Sequence, residues 1–138
     1  MLKIYTAINK HYTSNDVGIV MLNENNEICF QSAFRVVNTE ESEGHIFGIK
    51  RALSFIKNVR FNNKTDNEIV CIFSTDEERW INLRLEEDRY IRNIKKLLNI
   101  NLSTKQATEE DNENLLLAKQ QYLMLYKNDK ITFNGFTK

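Results

Sequence analysis

The 138-residue chain is 41% hydrophobic and 28% charged, and its 19 basic and 19 acidic side chains cancel to zero net charge. That balance fits one globular domain with a core of its own and excludes a disordered or fibrous chain; it also lacks the overall basic surplus that supplies most nucleic-acid affinity. Met1-Leu2-Lys3-Ile4-Tyr5 lacks the apolar heart of a signal peptide and no apolar run is long enough to span a bilayer, so the chain reads as cytoplasmic and without membrane contact.

Leu2 to Ala7, rich in β-branched and aromatic residues, predicts a first strand. A polar loop follows from Asn9 to Asp16. Asp16 to Leu22 is apolar at nearly every position and predicts a second strand. The turn Asn23-Glu24-Asn25-Asn26 leads to a third, Glu27 to Val37, where alternation puts Ile28, Phe30, Phe34 and Val36 on one face. Spacing this tight makes an antiparallel meander. After a polar, acidic break at Asn38 to Ser42, the residues Ile46, Ile49, Leu53 and Ile56 recur at three- and four-residue steps. They predict an amphipathic helix over Glu43 to Asn58, with Ser42 as its N-cap. Asn62 to Asn67 is a loop. The unbroken run Ile69-Val70-Cys71-Ile72-Phe73, within Glu68 to Ser74, fits a strand buried on both faces. A helix between two strands implies a crossover, so this strand should run parallel to the first.

Asp76 to Leu85 and Asp88 to Asn99 predict two helices, the second with Tyr90, Ile94 and Leu97 along one stripe. Ile100 to Thr104 is a short fifth strand. Glu109 to Lys127 is a last helix with Leu115, Ala118, Tyr122 and Leu125 on one side. The domain is taken as residues 1–128. Residues 129–138, with Ile131, Phe133 and Phe136, form a tail that either packs back or binds a partner. The order β-β-β-α-β-α-α-β-α is that of a mixed-sheet α/β domain.

Cys29 and Cys71 sit in apolar, strand-like runs and read as buried free thiols. His11 and His45 are far apart, no metal-ligand spacing is present, and no cofactor is expected. Proline is absent while asparagine, lysine and isoleucine abound, which points to an AT-rich coding genome such as that of a low-GC bacterium or its phage.

Five stretches carry a resemblance: Lys3-Ile4-Tyr5-Thr6, Val17-Gly18-Ile19-Val20-Met21, the run from Glu43 to Leu53, Ile72-Phe73-Ser74-Thr75, and Asn112-Glu113 leading into Ala118. In order and spacing they resemble the first, second and fourth strands and the first and last helices of the ribonuclease H family. The resemblance spans Leu2 to Lys127. It implies a ribonuclease H-like mixed five-stranded sheet, an antiparallel meander of three strands plus two parallel strands, flanked by helices. It also implies a site where acidic side chains hold two divalent ions, one activating water and the other stabilising the leaving oxygen.

The family's first aspartate falls on Ala7, its helix glutamate on His45, its second aspartate on Thr75 and its last on Leu116; the histidine often found before the last helix falls near Gln106. Hard divalent ions need oxygen ligands with carboxylate charge. The resemblance therefore implies a domain without catalytic residues, metal or cofactor. Asp76 and Glu43 are the fallback ligands, one and two residues out of place on a strand and a helix. Together with Asp111 or Glu113 they would make a remodelled nuclease.

Hybrid-binding members of that family grip phosphates just ahead of the first helix, where this chain has Thr39-Glu40-Glu41-Ser42-Glu43, three carboxylates that repel a phosphate chain. Basic residues cluster instead in the two middle helices: Arg79, Arg84, Arg89, Arg92, Lys95 and Lys96, with Trp80, Tyr90 and Tyr12 as stacking faces. Glu77, Glu78, Glu86, Glu87 and Asp88 interleave with them, as on an ordinary solvated surface. Trp80 reads as a core or interface anchor.

Three functions follow from the resemblance. The first is an inactive domain that serves as a protein-interaction or scaffold module, a phage or mobile-element accessory factor with a protein partner or self-association. The second is a non-cleaving binder of hybrid or duplex nucleic acid. The third is the remodelled metal-dependent nuclease.

Overall fold

In the computed structural model the described residues are 1–59 and 68–136, with side chains described as far as Leu125. Strands β1 (Leu2–Lys10), β2 (Ser14–Leu22) and β3 (Ile28–Val37) form the antiparallel meander. Helix α1 (Glu41–Val59) precedes β4 (Glu68–Phe73). Helices α2 (Glu78–Glu87) and α3 (Arg89–Leu98) lead to β5 (Asn101–Gln106), and α4 (Asn112–Phe136) follows a 3-10 turn at Glu109–Asp111. The strands make one sheet in the order β3-β2-β1-β4-β5, with β1–β4 and β4–β5 parallel. This is the mixed five-stranded sheet that the sequence implies.

Alternation along the strands divides the core into two layers. Leu2, Ile4, Val17, Ile19, Met21, Ile69, Cys71 and Phe73 pack with Ile46, Ile49 and Leu53 of α1, Ile81 and Leu85 of α2, and Ile91 and Ile94 of α3. Tyr5, Ala7, Val20, Leu22 and Ile72 face the other way and meet Leu115 and Ala118 of α4. The central strands carry apolar side chains on both faces because both faces are covered. Among the described residues, no helix is long and apolar enough to cross a membrane.

Several local expectations need correction. The first hairpin is longer than its apolar residues suggest: Asn9 pairs with Asp16 and Lys10 with Asn15, inside the stretch expected as loop. Those polar residues stay in the sheet because they have partners there. Asp16 is fully buried and takes hydrogen bonds from Arg35 Nε at 2.7 Å and His11 Nε2 at 2.8 Å, and Asn15 Nδ2 donates to the Thr39 carbonyl at 2.8 Å.

Helix α1 starts at Glu41, so Ser42 lies inside its first turn rather than capping it; the Gly44 N–H already bonds the Glu40 carbonyl at 3.2 Å. In β3 the register shifts by one residue between Met21 and Leu22, leaving Cys29 as the extra residue of a bulge. Phe30, Phe34 and Val36 pack against the core, while Ile28, beyond the bulge, pairs with Leu22 and is exposed.

The buried stripe of α3 is Ile91 and Ile94; Leu97 is 66% exposed and Tyr90 also faces solvent. Trp80 is 46% exposed and is not a core residue. Of the two cysteines, Cys71 is buried and Cys29 half-buried. The expected tail continues α4 as helix across residues 128 and 129 to Phe136. The side chains of Ile131, Phe133 and Phe136, and the loop expected at Asn62 to Asn67, lie outside the described residues.

Candidate functional site

Strand β1 outruns its neighbour. The parallel register pairs Tyr5 with Ile72, and β4 ends one residue later at Phe73, while β1 continues to Lys10. From Thr6 onward, among the described residues, β1 pairs with β2 alone. The notch opens to both helical layers. It is a cleft of about 410 Å³ lined by Thr6, Ala7 and Ile8 of β1, Glu41 and His45 of α1, Ser74 just past β4, and Asn112, Leu115, Leu116 and Lys119 of α4.

Ala7, His45 and Leu116, three positions on which the resemblance lays family carboxylates, meet in this cleft. At the fourth, Ser74 lines it and Thr75 does not. Extending the Tyr5–Ile72 register by two residues sets Ser74 level with Ala7. The Thr75 hydroxyl instead accepts the Glu77 N–H, 3.2 Å away, ahead of α2.

His45 is 2% exposed and is held by Thr6: its Nδ1 lies 2.7 Å from Thr6 Oγ1. Its Nε2 is buried without a hydrogen-bond partner, and the ring tilts against Phe73 with centroids 5.2 Å apart. Burial pushes its pKa down to about 4, so the imidazole is neutral at physiological pH. A neutral ring that donates from Nδ1 to Thr6 leaves only a lone pair at Nε2, a smaller cost than a buried, unmet N–H.

The remaining polar groups of the cleft are one carboxylate (Glu41), one ammonium (Lys119), the hydroxyls of Thr6 and Ser74, and the Asn112 amide. Neither fallback ligand lines it. Glu43 lies 3.9 Å from Arg84, and Asp76 is exposed beyond Thr75. Asp111 is committed elsewhere, accepting the Thr108 N–H at 2.9 Å, the Thr108 hydroxyl at 3.2 Å and Lys105 Nζ at 3.1 Å. Burial would raise the pKa of Asp111, but those bonds outweigh it and hold the carboxyl below its ordinary value. Glu113 is exposed. Among the described residues no three His, Cys, Asp or Glu side chains are grouped to hold a metal ion.

Glu41, Asn112 and Lys119 were not singled out from sequence as site residues, although Glu41 lay in the acidic stretch and Asn112 in the last-helix motif. Each sits three or four residues from a position that was, Glu41 from His45 and the other two from Leu116, so helical spacing alone could have found them. Ser74 needed the strand register.

The six basic residues divide between two helices of different character. α2 carries Arg79 and Arg84 among Glu78, Glu86 and Glu87. Arg84 is occupied, with Glu43 at 3.9 Å and its guanidinium 5.8 Å from the Trp80 ring centroid. α3 carries Arg89, Arg92, Lys95 and Lys96 and no acidic residue. Arg89, Arg92 and Lys96 are exposed and lie on one face, opposite the buried Ile91 and Ile94.

The acid next to them, Asp88, caps α3: its Oδ1 accepts the Ile91 N–H at 3.0 Å and its Oδ2 lies 2.6 Å from Lys50. Partial burial raises its pKa, yet the bonds from Lys50 and the helix N-terminus prevail and hold it below the ordinary carboxylate range. Tyr12 stands fully exposed in the β1–β2 turn.

No family model matches the chain, and no curated protein matches its sequence. Solved structures do. Ribonuclease H1 from the halophilic archaeon Halobacterium salinarum is similar with a TM-score of 0.59 at 14% identity, over 87% of this chain and 92% of that one. LC11-RNase H1 in complex with an RNA/DNA hybrid is similar with a TM-score of 0.64 at 17% identity, over 88% and 93%. Prototype foamy virus protease-reverse transcriptase is similar with a TM-score of 0.59 at 11% identity, over 89% of this chain and 20% of that one. What these structures share with the chain is the mixed sheet and its flanking helices: the chain has the ribonuclease H-like fold.

Proposed function

We propose that the chain is a ribonuclease H-like domain that binds nucleic acid without cutting it, with α3 as its phosphate-facing element. The observation that carries the reading is the sorting of charge: α3 presents Arg89, Arg92 and Lys96 at three- and four-residue steps with no acidic residue between them. Phosphates are bound by such a line of cations even where the whole chain is neutral. Tyr90, exposed on the same helix, adds a stacking face. Similar folds are found in complex with RNA/DNA hybrid.

The contents of the cleft support the second half of the reading, binding without cutting. One carboxylate and one ammonium cannot balance two divalent ions, and Ala7, Ser74 and Leu116 bring no charge. Fluorescence anisotropy with labelled single strand, duplex and hybrid at two salt concentrations tests both halves. The expected result is a salt-sensitive complex at micromolar protein and an intact probe in Mg²⁺ or Mn²⁺. Absence of any complex ends the binding reading. Cleavage that disappears in Asp76→Asn would establish the remodelled nuclease in its place.

A second reading, the protein-interaction module, draws on α4, where Leu116, Leu123 and Met124 are all exposed.

A further inference from the structure

The two edges of the sheet are unlike. β5 ends one side with Asn101-Leu102-Ser103-Thr104-Lys105-Gln106, short, polar and carrying a lysine. Such features keep an edge from pairing with other chains. β3 ends the other side with ten residues, Ile28-Cys29-Phe30-Gln31-Ser32-Ala33-Phe34-Arg35-Val36-Val37. It holds no lysine, no proline and no acid. Its one charge, Arg35, is turned to Asp16 of the neighbouring strand, Nε to Oδ1 at 2.7 Å. The bulge at Cys29 interrupts only its beginning, and from Phe30 to Val37 the pairing with β2 is regular. Among the described residues no strand pairs with its outer side. A long edge without lysine, proline or acid is a template for one more strand.

We propose that the strand it receives is the β3 of a second copy, the two pairing antiparallel about a two-fold axis through Ala33 so that the two sheets join. An axis normal to the sheet keeps the faces in common. Phe30 of one copy then stands opposite Val36 of the other, Gln31 opposite Arg35, and Ser32 opposite Phe34. Phe30 and Val36 both lie on the α1 side and extend its apolar layer. Gln31 and Arg35 are both exposed and lie on the α4 side, polar facing polar.

Neighbouring registers are worse. Centring on Phe34 sets Gln31 against Val37 and Ala33 against Arg35, and centring on Ser32 draws the bulge at Cys29 into the ladder. Zero net charge leaves no long-range repulsion between copies. The isologous interface closes on itself and leaves β5 as the edge of the joined sheet at both ends. The proposal stands apart from the nucleic-acid reading, because α3 packs chiefly against α1 and α2, while β3 packs chiefly against β2 and α4.

Sedimentation equilibrium of the whole chain at tens of micromolar should give twice the chain mass. Gln31 is exposed, so its variants fold. Gln31→Lys places like charges across both symmetric pairs and should weaken the dimer by about tenfold, and Gln31→Glu should tighten it by about as much. Opposed Cα atoms at the two-fold lie within disulfide reach. With Cys29→Ser removing the half-buried thiol, Ala33→Cys should therefore oxidise to a covalent dimer and Gln31→Cys should not. A monomeric parent overturns the proposal. So does a dimer that both charge variants shift in the same direction or leave unmoved, and so does cross-linking at position 31 in place of 33.

Discussion

Gly18 of β2 lies directly beneath Ala118 of α4: a Cβ at position 18 would stand 1.9 Å from the Ala118 carbonyl oxygen. The obstacle is helix backbone, which cannot rotate aside, so any side chain here lifts α4 from the sheet and opens the layer formed by Tyr5, Val20, Leu22 and Ile72. Gly18→Ala is expected to cost about 3 kcal/mol or more. Gly44 makes the contrast. A Cβ there meets the mobile end of Ile8, Cδ1 at 2.8 Å, and alanine gains about 1 kcal/mol of helix propensity. Gly44→Ala should stay within about 1 kcal/mol of the parent. Urea titrations of the two variants separate these outcomes.

His45 makes stability depend on pH in a defined window. Its folded pKa, about 4, lies below the ordinary 6.5, so protons bind the unfolded chain first. Its contribution is complete above pH 6.5, declines as the pH falls, and is gone below 4. The depression of the pKa corresponds to a loss of about 3 kcal/mol. In His45→Leu this component should vanish, leaving the carboxylates to act at lower pH. Thermal melts of parent and variant at pH 7, 5.5 and 4.5 check it; equal pH dependence in both would contradict the burial of the neutral ring.

The cleft can be asked to accept a metal. Ala7→Asp, His45→Glu and Ser74→Asp together place three carboxylates around the notch. This variant should be less stable than the parent in chelator and should gain several degrees of Tm in millimolar MnCl2, while the parent gains none. Replacing Ser74→Asp by Thr75→Asp should abolish the gain, because Thr75 does not line the cleft.

On α3, Arg89→Ala, Arg92→Ala and Lys96→Ala together should flatten the salt dependence of duplex binding by roughly 0.9 per lost phosphate contact, with little change in preference among sequences. Arg84→Ala on α2 should change it less, since that guanidinium already lies 3.9 Å from Glu43. Binding constants measured across a salt series give the slopes.

Some of this was legible in the sequence and some was not. α1 and β4 were plain, because Ile46, Ile49, Leu53 and Ile56 repeat with the helical period and Ile69 to Phe73 is unbroken. The hairpin's polar end was missed. Asn15 looks like loop, and Asp16 like the boundary of one, until their partners Thr39 and Arg35, some twenty residues on, are seen to satisfy them. In α3, Tyr90-Ile94-Leu97 and Ile91-Ile94 are both helical stripes, and only the position of the sheet decides which one is buried.

At the site, Ala7, His45 and Leu116 could be placed by family resemblance, because each sits within a regular element. Ser74 and Thr75 could not be told apart, since both fall past the end of β4 and register decides between them. The mixed charges of residues 76–96 read as one solvated surface in sequence. A helix break at Asp88 separates them into a mixed α2 and a cationic α3.

The strand order also governs how the chain must come together as it is synthesised. β1 lies at the centre, so its first residues wait for β4 before their second edge is paired, and the α4 side of the sheet waits longer still. Until Leu115 and Ala118 clear the ribosomal tunnel, Tyr5, Val20, Leu22 and Ile72 have nothing to cover them. A chain stalled between β5 and α4 would carry a finished sheet with one oily side in water, the state that chaperones bind and aggregates recruit.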